Sequence, residues 1–198
     1  MLLYGSQLIY KADAFAEIAH DGQKRKYTGE PYITHPREVA RLIQDFCVVD
    51  VSADDLEAMT AAALLHDVVE DCGIEMQEIF DRFGSYVATI VDGLTDESKP
   101  SDGNRAARKA IDLAKMVRQL KVTQMVKCGD FISNSRSIVL HDPGFAVRYL
   151  DEKTTFLKAM THSKGTLIRA MAKATVKWGN NRLKGLGYGD DQDKILHA

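Results

Sequence analysis

The segment His66-Asp67-Val68-Val69-Glu70-Asp71 puts one imidazole and three carboxylates within six residues. Were this stretch helical, His66 and Glu70 would lie one turn apart on one face, and so would Asp67 and Asp71. Imidazole with carboxylate suits Mn²⁺, Fe²⁺ or Zn²⁺, and the lack of nearby thiolates argues against a soft-metal site. A polar helix end with satisfied side chains is the competing account. A His-Asp pair supplies only two ligands, so others must come from elsewhere in the chain. His35 stands beside Pro36 at a loop-to-helix junction, which fixes its backbone. Asp130 follows Val126, Cys128 and Gly129 in an apolar stretch, where a carboxylate is costly unless paired or bound to a cation. Taken alone, each is more often structural than metal-binding, and spacing does not bring the four together.

Several residues have the chemistry to hold an anionic nucleotide. Lys24, Arg25 and Lys26 form a basic run in the glycine-containing segment Asp21 to Pro31, and Arg105, Arg108 and Lys109 form a second cluster after an internal loop. Arg105 and Arg108 are neighbours on a helix face. Near a helix start they oppose its dipole, so either acidic partners neutralise them or an anionic ligand does. A solvated charged face explains either cluster equally well. Asn134 lies four residues beyond Asp130 and offers a donor and an acceptor to a ribose or base edge, or else a helix cap. Tyr32 has a face for a base, although a packing anchor with a wet hydroxyl is the commoner role.

Helical spacing dominates the elements that would carry these residues. Leu8, Ala12, Phe15 and Ala19 line a first helix ending near His20. Pro36 opens a second, with Val39, Leu42, Ile43 and Phe46 on its apolar face. Ser52 or Asp54 caps a third that runs toward His66. Gly73 and Gly84 bracket a shorter helix from Ile74 to Phe83. Thr95 to Asn104 is the clearest loop. Ile111, Ala114, Val117 and Leu120 make the next stripe, Val122 to Ile132 a buried helix, and Phe145 to Met160 and Leu167 to Trp178 the last two. No strand alternation persists. An all-α bundle is expected, as one domain over 1–178 with a flexible tail over 179–198.

At 198 residues the chain can bury roughly 70% of its unfolded surface without disulfide or structural metal. A formal net charge of -2 gives no support to a duplex-binding or membrane-surface protein. Cys47, Cys72 and Cys128 are odd in number and lack metal-knuckle spacing, which predicts a reduced, cytoplasmic protein. Met1 to Tyr10 has an apolar run but no basic start or cleavage site, and no stretch reaches the ~20 apolar residues that span a bilayer. No nucleic-acid or membrane partner is expected; self-association into a homo-oligomer is left open.

Three ordered segments carry a resemblance: Ala19-His20-Asp21-Gly22-Gln23 through Gly29-Glu30-Pro31-Tyr32-Ile33-Thr34-His35-Pro36; Ala63-Leu64-Leu65-His66-Asp67-Val68-Val69-Glu70-Asp71; and Val126-Lys127-Cys128-Gly129-Asp130-Phe131-Ile132-Ser133-Asn134. Over roughly residues 8 to 160 the chain resembles the hydrolase domain of the RelA/SpoT alarmone enzymes, within the HD phosphohydrolase superfamily. The resemblance implies an HD-domain helical bundle in which His35, His66, Asp67 and Asp130 bind one Mn²⁺. It makes Glu70 and Asp71 the catalytic carboxylates, and assigns Asn134, Ser137, Lys26 and Thr28 to the nucleotide. The implied reaction is hydrolysis of the 3′-pyrophosphate of guanosine alarmones such as ppGpp. Adenine alarmones, removal of a 2′-phosphate from NADPH, and a noncatalytic nucleotide-binding regulator are the alternatives. Lysine stands at position 26 where relatives commonly place arginine, so either Arg25 reaches in instead or base selection is looser. The third segment lacks the Ala before the aspartate and the Arg-Leu-His after it that many relatives carry. The length resembles that of the small, hydrolase-only branch, without synthetase or regulatory domains.

Overall fold

A computed structural model describes residues 6–188, and among these the chain is all helical. The helices are α1 (Gln7–Ala19), α2 (Thr34–Cys47), α3 (Ala53–Leu65), α4 (Val68–Cys72), α5 (Met76–Leu94), α6 (Arg105–Met116), α7 (Lys121–His141), α8 (Pro143–Ala159) and α9 (Leu167–Gly185). A 3-10 turn at Pro100–Asp102 interrupts the long loop before α6, and an isolated bridge between Lys24 and Pro31 closes the loop before α2. No described helix is long and apolar enough to cross a membrane.

Helix starts follow side-chain chemistry. Ser6, Ser52, Asn104 and Asp142 each accept a hydrogen bond from a backbone N–H in the first turn that follows, of α1, α3, α6 and α8 respectively. Ser52, not Asp54, is therefore the cap of α3. Pro143 occupies the first helical position of α8, where its missing N–H costs nothing. Gly84 leaves helical geometry inside α5, so the break expected there is a kink within one element.

The two central helices are α3 and α7. Nearly every residue of α3 from Leu56 to Leu65 is buried, because α1, α2, α5 and α7 surround it. α7 packs on α2, α3, α5, α8 and α9. Met59, Leu65, Ile43, Ile90, Met125, Ile132 and Ile168 fill the space between them. Burying each such side chain contributes ~1.5–3 kcal/mol. Gly129 allows a close approach beside the site: a Cβ there would meet Val39 Cγ1 of α2 at 3.2 Å.

Two expectations are corrected. The predicted stripe on α6 does not face the core: Ala114 and Leu120 are exposed, Ile111 and Val117 are half-buried, and the buried residues of α6 are Asp112 and Met116. α6 is anchored by polar contacts. Asp112 accepts from Ser98 N–H, Ser98 Oγ and Lys109 Nζ, and Lys115 Nζ donates to the carbonyls of Asp92 and Thr95. The tail expected from Gly179 begins inside α9, where Gly179 and Leu183 are buried. Residues 189–198 of that expected tail, like residues 1–5 of the opening run, lie outside the described residues.

One buried cation is unusual. Lys153 of α8 places its Nζ 4.5 Å from the Tyr149 ring centroid, 4.6 Å from Phe131 and 5.3 Å from Phe156. Burial, with Lys127 nearby, lowers its pKa to about 8.

Candidate metal centre

His35 sits in the first turn of α2, His66 caps the end of α3, Asp67 precedes α4, and Asp130 lies mid-way along α7. The continuous helix that would set His66 beside Glu70 and Asp67 beside Asp71 is not formed. α3 stops at Leu65, and two turn residues follow before Val68 starts α4. That corner directs His66 and Asp67 into the interior.

Three separate segments thus converge. One donor atom each from His35, His66 and Asp130 lie within 4.8 Å of one another. Asp67 Oδ2 is 3.1 Å from His66 Nε2 and 3.6 Å from His35 Nε2, while Asp130 Oδ1 is 3.4 Å from His35 Nε2. Both imidazoles are held by their other nitrogen: His66 Nδ1 meets the Ala63 carbonyl at 2.8 Å, and His35 Nδ1 meets Ser133 Oγ at 2.9 Å. A carbonyl only accepts, so His66 Nδ1 carries a proton and Nε2 is the nitrogen left to meet a cation, either a proton or a metal ion. Both Nε2 atoms are buried and have no hydrogen-bond partner among the described residues. Two orphaned nitrogens facing two carboxylates are expensive unless a cation joins them. The donor set fits a divalent metal ion.

The electrostatics of the cluster follow from its crowding. Burial lowers the pKa of His66, yet Asp67 and Asp130 outweigh it and push the value up to about 9. Burial raises Asp130, but Lys127, at 3.2 Å from Oδ2, and both histidines hold it well below the usual carboxylate range. Asp67 is likewise held low, against burial, by His66 and His35. Sequence reasoning misses Lys127; a cation three residues before a buried aspartate on a helix is the signal that marks it.

Glu70 and Asp71 project from α4 beside this cluster. Burial is the main cause raising the pKa of both, and Asp67 adds repulsion at each. Glu70 Oε1 accepts from the Asp96 N–H and lines a cavity of about 340 Å³ with Asp96, Ser98, Arg105, Arg108 and Lys109. Within that cavity Arg105 forms a two-pronged pair with Glu152, and Lys109 bridges Asp96 and Asp112. Acidic partners therefore neutralise both, which removes the dipole argument for a ligand at these two. Arg108 has a buried Nε without a partner among the described residues.

In the first loop Arg25, not Lys26, faces the site. Both terminal nitrogens of Arg25 lie 3.4 Å from Asn134 Oδ1, and its guanidinium is 5.9 Å from the Tyr32 ring centroid. Asn134 Nδ2 in turn donates to Asp130 Oδ1 at 2.6 Å. Lys26 points away, toward the Tyr27 ring and Asp142. Thr28 bonds Glu30 within its own loop, Lys24 is exposed, and Ser137 lies one turn past Asn134. Tyr32 packs its ring against His20 at a tilt of 36°, 4.7 Å between centroids, and donates its hydroxyl to Asp67 Oδ2 at 2.7 Å. Its role in the structure is to hold a carboxylate of the cluster.

Known proteins resemble this chain in sequence or in fold. The profile of the HD domain family matches residues 12–128. A guanosine-3′,5′-bis(diphosphate) 3′-pyrophosphohydrolase of Vibrio cholerae is 34% identical over 154 residues, covering 76% of this chain and 21% of that protein. A GTP pyrophosphokinase rsh of Brucella ovis is 35% identical over 134 residues, covering 66% of this chain and 17% of that protein. The chain thus spans about a fifth of the length of these relatives. Among solved structures, a metazoan ortholog of SpoT that hydrolyzes ppGpp superposes with a TM-score of 0.74 at 20% identity, over 88% of this chain and 97% of that one. At that identity the likeness is one of fold.

Proposed function

The chain belongs to the HD domain family, and from that premise we propose that it is a metal-dependent 3′-pyrophosphohydrolase acting on guanosine alarmones such as ppGpp. The observation that carries the reading is the pair of buried, unpartnered Nε2 atoms of His35 and His66 facing Asp67 and Asp130, with Glu70 and Asp71 alongside. The activities that the relatives are named for support the same substrate class. Two imidazoles and two carboxylates without thiolate suit Mn²⁺, Fe²⁺ or Zn²⁺, and the family resemblance makes Mn²⁺ our choice among them. We take the helices from α1 through α9 to be one catalytic unit with a small nucleotide as its substrate.

A divalent cation in this cluster supplies Lewis-acid polarisation of the phosphoryl group and lowers the pKa of nearby water. His35, His66, Asp67 and Asp130 would hold it, and Tyr32 fixes the oxygen of Asp67 that faces the histidines. Water adds to the phosphorus attached to the ribose 3′-oxygen, and the bond from that oxygen to phosphorus breaks. Glu70 and Asp71, whose raised pKa values make them better bases than ordinary carboxylates, take the water's proton; one then returns a proton to the departing 3′-oxygen. Arg108, lacking an acidic partner among the described residues, faces the pyrophosphate from the cavity beside Glu70, while Arg25 and Asn134 meet the nucleoside.

The test is product identification. With Mn²⁺ supplied, ppGpp should yield pyrophosphate and a nucleotide with a free 3′-hydroxyl, and chelator or Asp67→Ala should abolish turnover. Inorganic phosphate from NADPH without pyrophosphate from ppGpp would instead mark a 2′-phosphatase. Release from an adenine alarmone alone would move the base assignment. Tight ppGpp binding without turnover would make the chain a regulator.

A further inference from the structure

The helices that carry His35 and Asp130 make a second contact one turn further on. Glu38 follows His35 by three residues on α2, and Ser133 follows Asp130 by three on α7, so each pair shares a helix face. Ser133 Oγ donates to Glu38 Oε2 at 2.6 Å and lies 2.9 Å from His35 Nδ1. A hydroxyl has one proton. Because Ser133 gives that proton to the carboxylate, its oxygen receives the bond from His35, which requires the proton on Nδ1. In the neutral ring that binds a metal, His35 Nε2 is thereby the lone pair, and it points at Asp67 and Asp130. The other oxygen of Glu38 lies 3.8 Å from Arg136 Nη1, so the chain of contacts ends at a half-exposed ion pair.

We propose that Glu38 and Ser133 form a relay that sets the tautomer and aim of His35, and thereby the affinity of the site for its cation. They are positioning residues: neither reaches the cluster except through His35. The proposal rests on the metal-site reading above. A carboxylate acting through a hydroxyl also makes the imidazole a stronger donor, as outer-shell partners of ligating histidines do.

Calorimetric titration of the metal-free, full-length protein with MnCl₂ tests it. Ser133→Ala and Glu38→Ala should each weaken Mn²⁺ binding by roughly 10- to 100-fold. Ser133→Thr keeps the hydroxyl and should restore affinity close to the parent's. Glu38→Gln keeps an acceptor without its charge and should fall between Glu38→Ala and the parent. Because both residues act on one ring, the Ser133→Ala/Glu38→Ala pair should bind little worse than either single change. Thermal melts of the metal-free variants separate this from a fold defect, since the relay predicts lost affinity at an unchanged midpoint. The idea is overturned if Ser133→Ala and Glu38→Ala bind Mn²⁺ as tightly as the parent while His66→Ala does not bind it. A parent that takes up no Mn²⁺ sinks the metal-site reading and the relay together, whereas Mn²⁺ uptake without ppGpp turnover refutes only the proposed activity.

Discussion

Replacing Lys153 by Met should stabilise the protein near neutral pH, and the gain should vanish in alkali. The ammonium is buried against Tyr149, Phe131 and Phe156, with no carboxylate in ion-pair contact among the described residues. Burial and Lys127 lower its pKa from 10.5 to about 8. That fall corresponds to about 3 kcal/mol of disfavour for the charged form. Methionine has similar length and no charge, but loses the cation–ring attractions, together worth about 1–2 kcal/mol here. The net expectation at pH 7 is a gain of about 1–2 kcal/mol. Below pH 8 both folded and unfolded chains keep the proton, so the penalty on the parent is complete and constant. Between about 8 and 10.5 the unfolded chain holds more protons, and the parent's stability rises with pH. The difference between the two proteins should therefore shrink through that window. Urea denaturation at pH 7, 8.5 and 10 reads it directly. A variant less stable than the parent at pH 7, by an amount that pH does not change, would show that the aromatic contacts dominate and that the charge carries no penalty.

Three further outcomes follow from the geometry. Tyr32→Phe removes the hydroxyl that donates to Asp67 and should weaken Mn²⁺ binding by roughly tenfold in the same calorimetric assay, with little change in thermal midpoint. Arg25→Ala should raise the KM for ppGpp well beyond the effect of Lys26→Ala, because Arg25 reaches Asn134 while Lys26 turns to Tyr27 and Asp142; equal effects would contradict the placement. Gly179→Ala should destabilise the protein by about 1–3 kcal/mol, since a Cβ there would meet Leu150 Cδ1 at 2.7 Å. An unchanged denaturation midpoint would mean that α9 shifts freely on α8.

Asp130 and the His66 stretch stand out in the sequence because their residues are chemically out of place there, whereas His35 and the grouping of the four come from the family resemblance. Asp130 interrupts an apolar run, and three acids crowd His66, so residue type and neighbourhood alone demand a partner for each. Helix boundaries are legible where caps and prolines mark them, as at Ser52 and Pro143. The orientation of α6 is not, because periodicity counts apolar side chains and ignores satisfied charges. Asp112 is buried there because Ser98 and Lys109, contributed by the loop and the preceding helical turn, satisfy it. Which of Arg25 and Lys26 faces inward depends on the Lys24–Pro31 bridge and on Asn134, 109 residues away from Arg25. The Glu38–Ser133 contact spans 95 residues and leaves no local trace in either segment.

The corner between α3 and α4 has a consequence for how the molecule comes apart. His66 and Asp67 gain their neighbours only when α2 and α7 have docked on either side, so an unfolded chain offers no comparable nest. A cation lodged there would act as a clasp on three helices at once. At a concentration one hundred times its Kd it would add about 2.7 kcal/mol to the resistance against unfolding. Heat resistance should accordingly track free cation, and stripping the ion should loosen α2 and α7 before it touches the contact between α8 and α9.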